Sequence, residues 1–491
     1  MKTNTLDFDA QALRERILDL AMRGKLVPQD PNDEPASVLL EKIKAEKEDL
    51  VKEKKIKKRE ANLPKFDNLS YLPTGWVVTK LKEITTPLSL NDGDWILSKN
   101  MSDKPEVKLI QLGSIGYGKY INKGFKYITN DTFDELNCTQ IKPGYLLINR
   151  LINKNKLMTT ILPDIDGKLI TAVDICWIAP SKEFNQEFMM YQLMSPKFQR
   201  RVNKLASGST RKRISKGNLI NIPIYLPPLS EQSRIAAKIA QLFALLRKVE
   251  SSTQQYAKLQ TLLKSKVLDL AMRGKLVKQD PNDESASVLL EKIKTEKAEL
   301  VKEKKIKKSE PFPPITDEEK PFDIPDSWEW ARLGDVAKKI TDGTHNPPPN
   351  SHSGKQLISA INIKNGKIDF KLSNRFVTDS QFEKEDKRTH IRKGDVLLTI
   401  VGSLGNAAIV ENDKLFTAQR SVAIISSDLL SKYLYYSLTS KMFQEQIFNN
   451  AKGTTQRGIY LKKLSGLILP LPPINEQCRI VNKINELYWL I

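Results

Sequence analysis

The chain has 491 residues, 40% of them hydrophobic, which supplies cores for two to four domains of roughly 150 residues and excludes wholesale disorder. Lys and Arg number 79 against 58 Asp and Glu, and the formal net charge of +21 suggests a polyanionic partner, most often nucleic acid, unless the source proteome is simply lysine-rich. Three cysteines (Cys138, Cys176, Cys478) without CxxC spacing argue against a disulfide scaffold or structural zinc site and fit a reducing cytoplasm, and neither a stretch of about 18 apolar residues nor a signal-peptide pattern is present.

Leu6, Ala10, Leu13, Ile17 and Leu20 follow 4-3 spacing and predict a helix near the N-terminus. A turn, QDPNDE (29–34), leads into a lysine-dense helix over about 36–58, where Glu41, Lys42, Lys44, Glu46 and Lys47 precede KEKKIKK. That helix reads as a solvated face before it reads as a DNA contact.

Residues 61–226 read as a compact α/β domain with a mixed sheet. The β-branched runs 108–112, 145–148, 157–161 and 175–178, bounded by Gly, Pro or Asn, predict strands. LNDGDW (90–95) follows the first strand. Its Asn91, Asp92 and Asp94 either face bases or cap an Asp-Gly turn. Arg150 lies beside a strand. Near the end, SGSTRKRISKGNL (207–219) offers Ser209, Thr210, Arg211, Lys212, Arg213 and Lys216 in a Gly-bounded loop. Hydroxyl, amide and guanidinium groups in such a loop suit phosphate clamping and base-edge reading, although an ordinary basic surface loop has the same composition.

A long helix follows Pro227 and Pro228, with Ser230 as N-cap and Gly274 as C-terminal stop. Ile235, Ile239, Leu242, Leu246, Val249, Thr253, Tyr256, Gln260, Leu263, Val267 and Leu270 keep strict 4-3 spacing, a coiled-coil seam. At 267 the chain begins again: 267–308 repeats 17–58 with six differences in 42 positions. Both lysine-dense helices could therefore dock one partner twice.

Residues 311–470 form a second, diverged head. IPDSWEWARLGDVA (324–337) parallels LPTGWVVTKLKEIT (72–85), and IRKGDVLLTI (391–400) parallels IKPGYLLINR (141–150). Strands are expected at 396–400 and 422–425. ITDGTHN (340–346) brings Thr344 and His345, Gln419 and Arg420 lie beside a strand, and GTTQRGIYLKKL (453–464) supplies Thr454, Thr455, Gln456, Arg457, Lys462 and Lys463 where the first head has its basic loop. LPPINEQCRIVNKI (471–484) then repeats 226–239, and Ile480, Ile484, Leu487 and Ile491 match the start of the seam. The terminal segments together nearly rebuild the central helix. They are expected to meet and to pack antiparallel to it, unless they are unrelated helical tails.

The fold class expected is α+β: two α/β domains with mixed sheets, joined by long antiparallel coiled-coil helices in a pseudo-two-fold circular arrangement. The boundaries are 1–60 helical, 61–226 first head, 227–310 helical, 311–470 second head and 471–491 helical.

Catalytic motifs fail. GSIGYGKY (113–120) has Tyr120 where a P-loop needs Ser or Thr, and its counterpart INIKNGKI is an Asn-Gly hairpin. NPPPN (346–350) lacks the aromatic residue of an adenine methyltransferase motif, and Pro163, Asp164, Asp166 and Lys168 crowd too closely for the usual nuclease arrangement. His345, His352 and His390 have no metal-ligand spacing. The chain reads as non-catalytic by itself, with no cofactor or metal of its own.

The two PP[LI]xEQxRI stretches, the two AMRGKLVxQDPNDE blocks, the LPTGW and IPDSW openings and DGTH at 342–345 carry a resemblance that spans the whole chain. It resembles the specificity (S) subunit of type I restriction-modification systems. The resemblance implies a cytoplasmic subunit whose two recognition domains each read half of a bipartite site in double-stranded DNA. Conserved antiparallel helices between them would act as a ruler. Two methyltransferase (M) subunits would dock and bring S-adenosylmethionine, and motor and nuclease (R) subunits would join with ATP and Mg. The first head is less typical of that family than the second, and the opening of the chain on part of the helix that the terminal segments rebuild suggests a shifted permutation of the family's arrangement. The competing classes are a bivalent coiled-coil protein scaffold and a fused methyltransferase or nuclease. RNA reading has no KH or RRM signature to support it.

Overall fold

The computed structural model describes residues 8–56, 72–304, 306, 310–373, 375–453 and 457–491. Leu6, the expected ends of the lysine-dense helices at 57–58 and 307–308, and Thr454, Thr455 and Gln456 lie outside them. The chain divides into two compact units, Met1–Thr253 and Gln254–Ile491.

Unit 1 comprises α1 (Ala10–Ala21), α2 (Ala36–Lys52), β1 (Val77–Lys80), α3 (Leu81–Ile84), β2 (Leu90–Asp92), β3 (Val107–Ile110), β4 (Lys126–Ile128), α4 (Asn130–Glu135), β5 (Leu146–Asn153), β6 (Lys156–Ile161), β7 (Lys168–Thr171), β8 (Ile175–Ile178), α5 (Gln186–Met194), α6 (Pro196–Leu205), α7 (Lys216–Ile220), β9 (Pro223–Leu226) and the first part of α8 (Leu229–Met272). β2-β8-β5-β6 form an antiparallel sheet, and β4-β3-β7 form a second in which β3 and β7 run parallel. The expected strands all fall on observed ones, and 175–178 coincides with β8.

Unit 2 repeats the plan. The rest of α8 leads to α9 (Ala286–Lys302), β10 (Glu329–Arg332), α10 (Leu333–Val336), β11 (Ala337–Asp342), β12 (Lys355–Ile358), β13 (Ile363–Lys364), β14 (Lys367–Ile368), β15 (Phe376–Val377), α11 (Asp379–Thr389), β16 (Val396–Thr399), β17 (Ala407–Ile409), β18 (Phe416–Ala418), β19 (Val422–Ser427), α12 (Ser431–Thr439), α13 (Lys441–Asn450), α14 (Leu461–Ser465), β20 (Ile468–Leu471) and α15 (Ile474–Leu490). β11-β19-β16-β17 match the antiparallel sheet, and β15-β12-β18 match the mixed one. Both units are therefore α/β heads with mixed sheets, as expected.

The helices differ from expectation at three points. α8 starts at Leu229, so Ser230 sits inside the first turn. The carbonyl of Pro228 already accepts from the Gln232 N–H at 2.9 Å, and the prolines preset the backbone for helix entry. The lysine-dense helices stop at Lys52 and Lys302. Lys54 and Lys304 turn left-handed (φ 56° and 57°), and Lys55 N–H returns to the carbonyl of Leu50. Beyond that point the sequence offers mostly like charges, which disfavour another turn. The third point is the seam. Ile235, Ile239 and Val267 are buried, whereas Val249, Tyr256 and Leu263 are exposed. Within unit 1, α1 runs antiparallel to the start of α8, with Arg14 on Glu250 at 2.5 Å and Gln29 on Glu231 at 2.6 Å. Within unit 2, α15 runs antiparallel to its end, with Tyr488 donating to the Lys264 carbonyl at 3.1 Å and Gln279 on Glu476 at 2.7 Å. The described part of α1 has 12 residues and α15 has 17, against 44 in α8.

Two devices recur in both units and fasten the repeated blocks to the heads. Trp76 donates its indole N–H to the buried Glu231 at 2.9 Å, and Trp328 donates to Glu476 at the same distance. Beside them, Arg234 pairs with Asp33 and Arg479 with Asp283, both at 2.5 Å. In the second device Lys47 donates to the carbonyls of Lys82 (2.8 Å) and Glu83 (2.6 Å) at the end of α3, and Lys297 to that of Gly334 (2.5 Å) in α10. Burial pushes both ammonium groups below the usual lysine range. Helix C-termini attract cations, so the lysines hold α2 and α9 in place. K297M is expected to cost about 1 kcal/mol, because a charge-assisted hydrogen bond to a half-buried donor is lost. Denaturant unfolding of the full chain checks this, and an unchanged midpoint would refute it.

Candidate nucleic-acid interface

Most of the candidate residues gather at one end of each four-stranded sheet. The register sets this. Asp92, the last residue of β2, pairs with Cys176 near the start of β8, and Asn149 of the outgoing β5 pairs with Ile175. In unit 2, Asp342 pairs with Ala423, and Thr399 with Val422. Two strands leave and one enters at the same edge, so three loops meet there.

The first loop carries the Asp-Gly pair. It is not the turn that Asp-Gly suggests, because Asn91, Asp92, Thr341 and Asp342 are strand residues. Gly93 and Gly343 follow, and each lies flat on the neighbouring segment. Gly93 N–H reaches the Ile175 carbonyl at 2.8 Å and Asp94 N–H that of Thr171 at 2.8 Å. Gly343 N–H reaches Val422 at 3.1 Å and Thr344 N–H reaches Ala418 at 2.7 Å. A Cβ on Gly343 would stand 2.0 Å from the Ala418 carbonyl oxygen, so close approach is what requires glycine here. Of the side chains that follow, Asp94 turns inward and accepts from Thr139 N–H at 3.0 Å, with its carboxyl raised by burial. Thr344 is buried and its hydroxyl donates to the Asn346 carbonyl at 3.2 Å. Those two candidates are spent on the fold. His345 is exposed, its Nε2 2.7 Å from Asp342.

The basic loop, between α6 and α7, joins this edge from outside the sheet. Ser207 and Arg213 exchange backbone hydrogen bonds (3.0 and 2.8 Å), closing a tight loop that needs Gly208 at φ 116°. Ser209, Thr210, Arg211 and Lys212 are exposed at its tip. The loop is laced to the sheet edge: Ile152 N–H donates to the Lys212 carbonyl at 2.8 Å, and Ile214 N–H to that of Arg150 at 3.0 Å. Unit 2 repeats this bond for bond. Lys452 and Gly458 exchange bonds at 2.9 Å, Gly453 has φ 106°, Gly402 N–H meets the exposed Arg457 at 3.2 Å, and Ile459 N–H meets Ile400 at 2.9 Å.

Several basic candidates prove to be braces. Arg150 is 3% exposed. It sits 3.0 Å from Asp92 without hydrogen-bond alignment and donates to the Val173 carbonyl at 2.5 Å, so it supports the edge from within and presents no guanidinium to a base. Burial raises the Asp92 carboxyl, while Arg150, Lys216 and Arg213 pull it down. Lys216 donates to Asn91 at 2.6 Å, and the part-exposed Arg213 holds Asp174 at 2.6 Å. Exposed Lys462 pairs with Glu310 at 3.3 Å, beside exposed Lys463 on α14. Gln419 is half-buried, and exposed Arg420 donates its backbone N–H to the Thr344 carbonyl at 3.0 Å.

Two further exposed features lie at this end. The β5–β6 hairpin turns on Lys154 and Asn155 (φ 47° and 61°), and Trp95 directly follows Asp94. Among the described residues no group of three His, Cys, Asp or Glu could hold a metal ion. GSIGYGKY closes on itself, with Gly116 N–H donating to the Lys119 carbonyl at 3.0 Å, and no helix follows to cradle a phosphate. No described helix is long and apolar enough to cross a membrane.

Comparison with known proteins agrees with this organisation. The family described as Type I restriction modification DNA specificity domain matches residues 73–260 and 325–489. The chain is 30% identical to the Type I restriction enzyme EcoAI specificity subunit of Escherichia coli, over 98% of this chain and 89% of that protein. It is 28% identical to the EcoEI specificity subunit of the same species, with the same coverage. The fold matches a solved chain from work on complex assembly and conformational transition of the type I R-M system, with TM-score 0.55, 20% identity, and 85% of this chain and 91% of that one covered.

Proposed function

As the chain belongs to the type I restriction-modification DNA specificity family, we propose that its two units each read one half of a bipartite site in double-stranded DNA. The observation that carries this reading is the duplicated sheet end. Both units offer the same backbone frame, with the same Gly-bounded loop tied to the same strand, yet the exposed side chains differ: Lys154, Arg211 and Lys212 in one, Arg420 and Arg457 in the other. Equal frames with unequal chemistry suit an asymmetric target. Phosphate contacts from the basic groups would make binding strongly salt-dependent.

On this reading 61–226 and 311–470 are the readers, and 1–60, 227–310 and 471–491 are their connectors. The nearly identical α2 and α9 suit two copies of one partner, the methyltransferase subunit, which supplies S-adenosylmethionine chemistry. Restriction subunits, with ATP and Mg, complete the assembly in the cytoplasm, and this chain contributes recognition alone.

Mapping adenine methylation in the source genome, with the gene intact and deleted, tests the reading. Deletion is expected to erase one gapped, asymmetric motif. An unchanged map, together with no motif methylated when the chain is reconstituted with its neighbouring methyltransferase, would refute it.

A further inference from the structure

We propose that Trp95 in unit 1 and His345 in unit 2 are paired ring contacts through which the two sheet ends select DNA bases. The inference rests on the DNA-reading function above. The two residues hold the same place. Each is second after a glycine, Gly93 or Gly343, whose missing Cβ lets the chain lie against 171–172 or 418–419. The residue between is pinned in both units, Asp94 N–H to Thr171 and Thr344 N–H to Ala418. The backbone beneath each ring is therefore fixed, while the rings stay open: Trp95 is 69% exposed and the His345 side chain 63%. Both lie within four residues of strand-end side chains that engage basic groups. In unit 1 these are Asn91 with Lys216 and Asp92 with Arg150; in unit 2, Asp342 with Arg388. A flat ring on a fixed stalk beside a basic loop matches what a DNA groove accepts, and cations nearby hold the phosphates while the ring meets the bases.

The two rings differ in what they can read. An indole is large and apolar, so it stacks on a base or wedges a step open, and it senses stacking and deformability. The imidazole of His345 keeps one nitrogen on Asp342 at 2.7 Å and leaves the other for a base edge in hydrogen-bond readout. Asp92, the counterpart of Asp342, is engaged by Arg150 instead. The same strand-end carboxylate thus aims the ring in unit 2 and braces the edge in unit 1.

The test uses the complex of this chain with its methyltransferase subunits and an oligonucleotide carrying its methylation motif. W95A is expected to weaken binding by about 10- to 100-fold, as loss of a base–aromatic contact does, and W95F to restore it to within about threefold. H345A is expected to relax one base position in the opposite half-site and to leave the half read by unit 1 intact. Binding by W95A within about twofold of the unsubstituted complex, or equal weakening on random DNA, would overturn the ring assignment. If the unsubstituted complex methylates no bipartite motif, the DNA-reading function falls first and this inference with it.

Discussion

If each unit reads one half-site as proposed, G343A is expected to abolish recognition by unit 2 and to spare that by unit 1. The ideal Cβ falls 2.0 Å from the Ala418 carbonyl oxygen and 2.4 Å from that of Gln419. Both are backbone atoms of a strand end, so no side chain can swing away. The DGTH segment must lift instead, which breaks the bonds from Gly343 N–H to Val422, Thr344 N–H to Ala418 and Arg420 N–H to Thr344. The cost is about 3 kcal/mol, at the upper end for overpacking. It falls on a sheet edge; the core of Leu398, Ala423, Ile425 and Phe443 beneath is untouched. The unit should stay folded with its recognition edge displaced. Methylation of oligonucleotides altered in one half-site at a time reads this directly. The G343A complex should lose more than about 100-fold in activity on the intact site, because an anchored edge gives about 1–3 kcal/mol per lost base contact and several are lost together. G93A should do the same for the other half, since its Cβ meets Thr171 Oγ1 at 2.3 Å and the Ala172 oxygen at 2.4 Å. A G343A complex with wild-type motif and rate would show that the sheet end is not the reading surface.

The glycines mark what a sequence can and cannot disclose. Asp-Gly reads locally as a turn, and the clash that excludes any other residue comes from a segment about 80 positions away in both units. The basic loops were legible because their causes are local: a glycine with positive φ, a short polar tip and the same layout in both repeats. Strands were legible for the same reason, β-branched runs between breakers. Arg150 was not, because whether an arginine beside a strand faces outward or into the sheet edge depends on Asp92, Val173 and Ile214, which reach it only in the fold. Trp95 stands at the offset of the repeat from His345, yet an indole carries none of the hydrogen-bonding pattern by which a polar loop is read. The seam was legible as a pattern, and its middle still proved exposed, because spacing shows which face is apolar and leaves open how much helix lies against it.

W328A should destabilise unit 2 by about 4 kcal/mol. Trp328 packs with Ala271, Met272, Tyr433, Ile480, Val481 and Ile484, so its removal opens a large cavity where the central helix, α15 and the head meet. It also strips a donor from Glu476, which is 1% exposed and otherwise relies on Gln279. W328F separates the two effects, since it keeps most of the volume and removes the N–H, for about 2 kcal/mol. The sign of its pH dependence follows from the carboxyl. Burial raises Glu476 above the ordinary value, against the pull of Trp328 and Gln279. A raised folded-state value means the folded chain holds the proton more readily than the unfolded one, so stability falls as pH climbs from the unfolded value through the folded one. Losing the indole N–H, which favours the charged form, raises it further. The W328F deficit should therefore be larger near about pH 8 than near about pH 5. Asp283 behaves oppositely: its hydrogen bond with Arg479 holds it below the ordinary value, so its contribution is complete above the unfolded value and fades as pH falls through the lowered one. A D283N chain should accordingly keep its deficit at about pH 5, where W328F already improves, and lose it only below about pH 4, where the wild type loses the ion pair. Thermal unfolding of the full chain at both pH values decides the matter. An equal W328F deficit at both would mean that the indole packs against Glu476 without governing its charge.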